Sequence, residues 1–188
     1  KEFTDEELSL ILEACELFKD KYPFQTYLIK LMIYTGRRRE TLLLLKYAYI
    51  TWKTEELINE GKRIKVYGKV EIPAHVNKTK VKDTFWITSN IRDALVDLQK
   101  QRQFFSWSMF VDWCFPSPRI RDKRFLRKGN ENNTDAARLK DCRELWEEIK
   151  KHCGLKDVAM RMFRNTHENK VNEQKKARST WDVITVTG

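Results

Sequence analysis

Three stretches of this 188-residue chain gather side chains suited to gripping an anion. TGRRRE (35–40) sets three consecutive arginines between Gly36 and the leucine run 42–45. NKTKVKDTFWI (77–87) carries Lys78, Lys80 and Lys82 ahead of an aromatic run, and RMFRNT (161–166) spaces Arg161 and Arg164 three residues apart. A guanidinium is planar, permanently charged and able to donate two parallel hydrogen bonds to one phosphate. A lysine is a point charge that can also give up a proton. The first stretch poses a question of its own. A helix N-terminus already carries partial positive charge, so arginines in its first turn are disfavoured by about 0.3–1 kcal/mol each, and a bound anion would relieve that repulsion.

The elements that must position these residues follow from periodicity. Thr4 and Glu7 have capping-box spacing, and Leu8, Ile11, Leu12, Cys15 and Phe18 recur at helical intervals behind them. PFQTYLIKLMIYT (23–35) continues as a helix until Gly36 stops it, and RRETLLLLKYAYI (38–50) resumes helical spacing before drifting toward β-branched and aromatic residues. The arginines thus fall in a tight corner between two helices. From 63 to 88 the character is that of strands: RIKVYGKVEIPA alternates, NKTKVKD reads as a basic turn, and TFWIT is β-branched and aromatic. NIRDALVDLQKQRQFF (90–105) and DAARLKDCRELWEEIKKH (135–152) read as amphipathic helices, and a last helix begins near Val158. A basic, Asn-rich loop covers 119–134. The expected fold is mainly α with one small antiparallel β-sheet, in one domain over 1–188.

Composition narrows the partners. Lys and Arg total 37 against 27 Asp and Glu, a formal charge of +10 that points to a polyanion, with nucleic acid foremost. The 41% hydrophobic and 12% aromatic content excludes a disordered chain. Cysteines 15, 114, 142 and 153 form no CxxC pair and lack zinc spacing, so reduced, mostly buried thiols are expected. No apolar run approaches 18 residues, which gives no support to a membrane span, and a cytoplasmic, nucleoid-associated protein is expected.

Each stretch alone has a plain structural reading: a helix connection, a solvated hairpin tip, and one polar face of a helix whose Met162 and Phe163 fill the core. Leu42 to Leu45, Trp146 and Phe163 read as core. Taken in order, TGRRRE, NKTKVKDTFWI, RMFRNT and the terminal VTG resemble the catalytic domain of the tyrosine recombinases, the phage-integrase family, over nearly the whole chain. The resemblance implies site-specific recombination of a mobile element by DNA strand cleavage and rejoining through a 3′-phosphotyrosyl link. It needs no metal or other cofactor. It implies a double-stranded DNA partner, a homotetramer for the full-length protein, and a monomer for these 188 residues.

Residue by residue, the resemblance assigns the first catalytic arginine to Arg38, the hairpin lysine and general acid to Lys78, and the second arginine to Arg164, with Thr166 as the small hydroxyl that follows. Arg161 stands where the family has a histidine and can donate to phosphate but not accept a proton. His167, one turn after Arg164, could take over that work or be an ordinary surface histidine, the plainer reading. Arg37, Lys80 and Lys82 are expected as phosphate contacts. The last tyrosine is Tyr67, so no nucleophile follows Arg164, and Gly188 resembles the glycine that precedes the family's nucleophile segment. DNA binding without cleavage is the expectation, with a non-catalytic DNA-binding protein of the same fold and a type IB topoisomerase as alternatives.

Overall fold

A computed structural model describes residues 1–59, 62–77, 80–105, 111–117 and 137–172. Helix α1 spans Asp5–Leu17 and opens with the expected capping box: Glu7 N–H donates to Thr4 Oγ1 at 3.1 Å, and Thr4 N–H to the Glu7 carboxylate at 2.9 Å. Helix α2 (Gln25–Thr35) is buried almost all round, with Leu28, Ile29 and Leu31 inaccessible, and forms the centre of the core. It ends at Gly36, whose φ of +61° is left-handed.

Helix α3 then runs only from Arg39 to Leu43. The helical spacing of 38–50 does not persist, because Leu42, Leu43 and Leu45 are all buried in the core and the backbone beyond them pairs elsewhere. Cys114 N–H donates to Leu45 O (2.9 Å) and Tyr47 N–H to Asp112 O (3.2 Å), a bridge absent from any local pattern. A single 3₁₀ turn at Tyr47–Tyr49 leads into the sheet.

The sheet has three antiparallel strands in the order β1 (Ile50–Asn59), β2 (Lys62–Ile72) and β3 (Asp83–Trp86), paired Ile50 to Val70 on one side and Val70 to Phe85 on the other. β1 is an addition to the strands read between 63 and 88. Its sequence, ITWKTEELIN, carries charged residues that mask the alternation, and its pairing with β2 defines it. Val70, Ile72 and Phe85 face the core, whereas Trp52 and Trp86 stay nearly half exposed on the outer face.

Helix α4 (Ser89–Gln103) packs Ile91, Leu95 and Leu98 against α2. Helix α5 spans Arg143–His152. The helix expected from 135 is therefore shorter, because 137–139 pairs with the 115–117 segment: Ser117 N–H donates to Ala137 O and Leu139 N–H to Phe115 O, both at 2.8 Å. Two buried residues two apart, Ala137 and Leu139, fit an extended ladder as well as a helix.

The last element, α6, covers 162–172 among the described residues. It is anchored by an aromatic cluster in which Phe163 stacks on Phe3 (centroids 4.8 Å apart) and meets Trp146 edge-on at 5.3 Å. Thr166 is buried one turn on; its hydroxyl donates to Met162 O and accepts the Phe3 N–H, both at 2.9 Å. Those contacts fix the rotation of α6 and so the direction of Arg164. Cys15, Cys114 and Cys142 are buried free thiols, and burial pushes Cys15 and Cys142 up to about 12. Among the described residues no helix is long and apolar enough to cross a membrane. The basic loop 119–134 and the end beyond 172 lie outside the described residues.

Candidate functional site

The corner between α2 and α3 is closed by its own side chains. Thr35 donates its hydroxyl to Leu31 O (2.6 Å) and accepts the Arg37 N–H (3.2 Å). Gly36 is required twice, once by its left-handed φ and once by contact, since a Cβ there would lie 2.6 Å from His167 Cγ and Cδ2. His167 is therefore packed against the arginine turn and is not an ordinary surface histidine.

From this corner the three arginines diverge. Arg37 reaches β3, donating to Thr84 O at 2.9 Å and pairing with Asp83 at 3.1 Å, with its guanidinium carbon 5.8 Å from the Phe85 ring centroid. Arg39 pairs with Glu40 at 2.6 Å. Arg38, the N-cap of α3, is exposed; its carbonyl accepts the Leu42 N–H at 3.1 Å, but its guanidinium makes no hydrogen bond or ion pair with a described residue. Two of the three charges are thus met within the protein. A five-residue helix has little macrodipole, so the repulsion expected from a long helix is small. What remains is one open guanidinium.

Arg38 faces a cavity of about 860 Å³, whose other walls include Arg164 and His167 of α6, Asn77 and Lys82 of the β2–β3 connection, and Trp86 of β3. A second cavity, of about 640 Å³, shares Arg37, Arg38, Arg164 and Glu168 with the first and adds Arg39, Glu40, Met160 and Arg161. The fold thus gathers Arg37, Arg38, Arg164 and Lys82 around one space. Arg161 lines only the neighbouring space, because it lies in the turn before α6 and not on the helix. Lys80 lines neither; it is exposed in a tight turn at φ +56°, its N–H donating to Asn77 O at 2.9 Å. Lys78 lies outside the described residues, flanked by Asn77, which is buried and donates from Nδ2 to Val81 O at 2.9 Å.

Carboxylates balance part of this charge. Arg164 Nε donates to Glu168 Oε1 at 2.5 Å. Lys82 pairs with Glu71, which also takes Lys69 at 3.1 Å, and these hydrogen bonds, that from Lys82 foremost, hold the Glu71 carboxyl below its ordinary range. Burial first, then the Arg37 guanidinium and Lys170, hold His167 below the ordinary imidazole range, with Glu168 opposing.

Asp83, Glu168 and Asn77 are members of the site that the motif pattern passes over. Two left a signal: Asp83 is the lone acid between Glu71 and Asp93, in a basic stretch that must supply it a partner, and Glu168 stands four residues after Arg164. Asn77 left none. Chemically, the arrangement can hold a phosphodiester between two guanidinia with an imidazole beside them, using charge-assisted hydrogen bonds alone.

No protein-family model and no curated protein matches the chain. Solved structures do. The site-specific recombinase XerH bound to its difH substrate in a pre-cleavage complex superposes with a TM-score of 0.60 at 16% identity, over 93% of this chain. XerH on a palindromic difH substrate, post-cleavage, gives 0.57 at 18% identity, over 88%. The chain spans 43% and 40% of those two chains, less than half of either. The fold is that of a tyrosine recombinase.

Proposed function

We propose that this chain is the phosphate-activating part of a tyrosine-type site-specific recombinase, which breaks and rejoins double-stranded DNA through a 3′-phosphotyrosyl intermediate. The observation that carries the reading is the meeting of Arg38 and Arg164, from elements far apart in sequence, on one cavity walled by the β2–β3 connection. Attack on a phosphodiester gathers negative charge on the two non-bridging oxygens, and two guanidinia held in place stabilise that charge more than they stabilise the ground state. In this reading Arg38 and Arg164 clamp those oxygens. Arg161 adds a donor from the adjoining cavity, and Lys78, on the connection, protonates the departing 5′-oxygen. Lys80 and Lys82 hold backbone phosphates. Arg37, met by Asp83 and Thr84, would need to leave them to do the same, so its larger part is to tie β3 to the arginine corner.

The attacking tyrosine has no counterpart after Arg164 in these residues. Of the six tyrosines only Tyr34 lines the cavity, where burial raises its hydroxyl above the ordinary range. The reading therefore assigns to this chain, as a monomer, DNA binding and phosphate activation but no cleavage. A protein supplying the tyrosine would work as a homotetramer on paired sites in the nucleoid.

The test has two arms. A mobility shift with duplex DNA should show binding that weakens steeply with salt, and a nicked suicide duplex should yield no covalent adduct with these residues. In a protein that carries the tyrosine, Arg38→Ala and Arg164→Ala should abolish adduct formation while largely sparing binding; unchanged cleavage would refute the clamp. Arg161 in place of a proton-accepting histidine favours a second reading, a DNA-binding protein of this fold that has lost its chemistry. A cleaving, tyrosine-bearing protein rules that out, and relaxation of supercoils without strand exchange would instead mark a type IB topoisomerase.

A further inference from the structure

Helix α6 presents Arg164, His167, Glu168 and Val171 at i, i+3, i+4 and i+7, one face of the helix, and all four line the larger cavity. Arg161, a further turn back, falls before the helix and lines only the smaller one. Of the three histidines, only His167 lines the cavity that holds Arg38 and Arg164. Its ring is held against the backbone of Gly36, where no larger residue fits, so it is fixed to the turn that carries Arg38. A ring locked by packing loses little freedom when it makes a hydrogen bond.

We propose that His167 is a phosphate-binding side chain of this site, its imidazole hydrogen-bonding the phosphodiester gripped by Arg38 and Arg164. The inference rests on the DNA-binding reading above and assigns that site one more ligand. The charges around the ring accord with it. Its own helix offers Arg164, Glu168 and Lys170. The facing walls offer Tyr34, Arg37 and Arg38 from the corner, and Lys82 and Asp83 from the strand side. Both carboxylates are already paired, Glu168 with Arg164 and Asp83 with Arg37, and Lys170 with Asp5. Without an anion, burial first and then the field of Arg37 and Lys170 oppose protonation of the ring, and a phosphodiester reverses the field's share. Binding should then take up a proton on His167, and affinity should rise as pH falls through the window between the free and bound pKa values.

The chain has three histidines, at 75, 152 and 167, so the ring resonances are few, and His75→Gln and His152→Gln assign the third by elimination. The experiment is a pH titration of the imidazole signals by NMR, on the protein alone and with a short DNA duplex at low salt. The expected result is that His167 shifts on duplex addition and its pKa rises by about one unit or more, a tenfold gain in proton affinity, while His75 and His152 stay where they were. A duplex that binds and leaves His167 unmoved would overturn the inference and leave the DNA-binding reading standing. A duplex that does not bind at low salt would overturn both.

Discussion

Replacing Gly36 by alanine separates two costs that the structure places on one atom. The first is backbone: φ of +61° is left-handed, and an L-residue there loses about 1–2 kcal/mol, partly offset by the lower entropy of the unfolded alanine chain. The second is steric. The new Cβ would stand 2.6 Å from two His167 ring carbons, nearly an ångström inside the ~3.5 Å at which carbons make contact. The His167 Cβ is also only 2.7 Å away, so turning the ring is not enough and α6 must give; overpacking of this kind costs about 1–3 kcal/mol. Gly36→Ala should therefore destabilise by about 2–4 kcal/mol, a urea midpoint shift of roughly 1 M or more for the slope of a small domain. In a His167→Gly background, which removes the His167 Cβ (2.7 Å from the new methyl) together with the ring, only the backbone part remains, so the same change should cost about 1 kcal/mol. The double-mutant cycle, read by urea unfolding, should show a coupling of about 1–3 kcal/mol. An equal cost of Gly36→Ala with and without the residue-167 side chain would refute the contact and the placement of His167 in the site.

Three further outcomes follow from particular contacts. Glu168→Gln removes the carboxylate paired with Arg164, so duplex affinity at low salt should rise roughly two- to fivefold and the gain should fade as salt is added; weaker binding would mean that Glu168 serves the site in another way. Arg37→Met breaks the links to Asp83 and Thr84, which are partly solvent-screened, so stability should fall by about 1 kcal/mol or less, with faster amide exchange across 83–86 by mass spectrometry as the sharper sign. Under native conditions near pH 8 a thiol reagent should modify Cys153 well before Cys15, Cys114 and Cys142, the first being half-buried and the others enclosed; equal rates would contradict the packing of the three buried thiols.

Much of the positioning framework is legible in local pattern. The capping box of α1, the glycine stop after α2, the strands on either side of NKTKVKD and the amphipathic spacing of α4 are set by neighbours within a few residues, and each forms as its pattern implies. The misreadings occur where a distant segment competes. The leucines after Arg39 have helical spacing, but residues 112–114 take the backbone bonds that a longer helix would need. Likewise 115–117 draws 137–139 into a ladder, and β1 is a strand through its pairing with β2.

By itself the sequence determined which chemistry is on offer: arginines in a glycine corner, lysines on a turn, two arginines at the last helix, and an excess of positive charge to draw a polyanion. Only the tertiary structure decided how those residues are used. Arg37, Arg38 and Arg39 are equivalent as a string, yet one is bound to Asp83, one to Glu40, and one is left open. Arg161 and His167 flank Arg164 at equal spacing, yet the helix begins between the first and the second, so the arginine falls in the adjoining cavity and the histidine in the site. Spacing along a helix gives a relative angle, whereas the absolute rotation that aims a face comes from what the helix packs against. Here that is the contact of Phe163 with Phe3 and Trp146, and of Thr166 with the Phe3 backbone, partners that no local pattern contains.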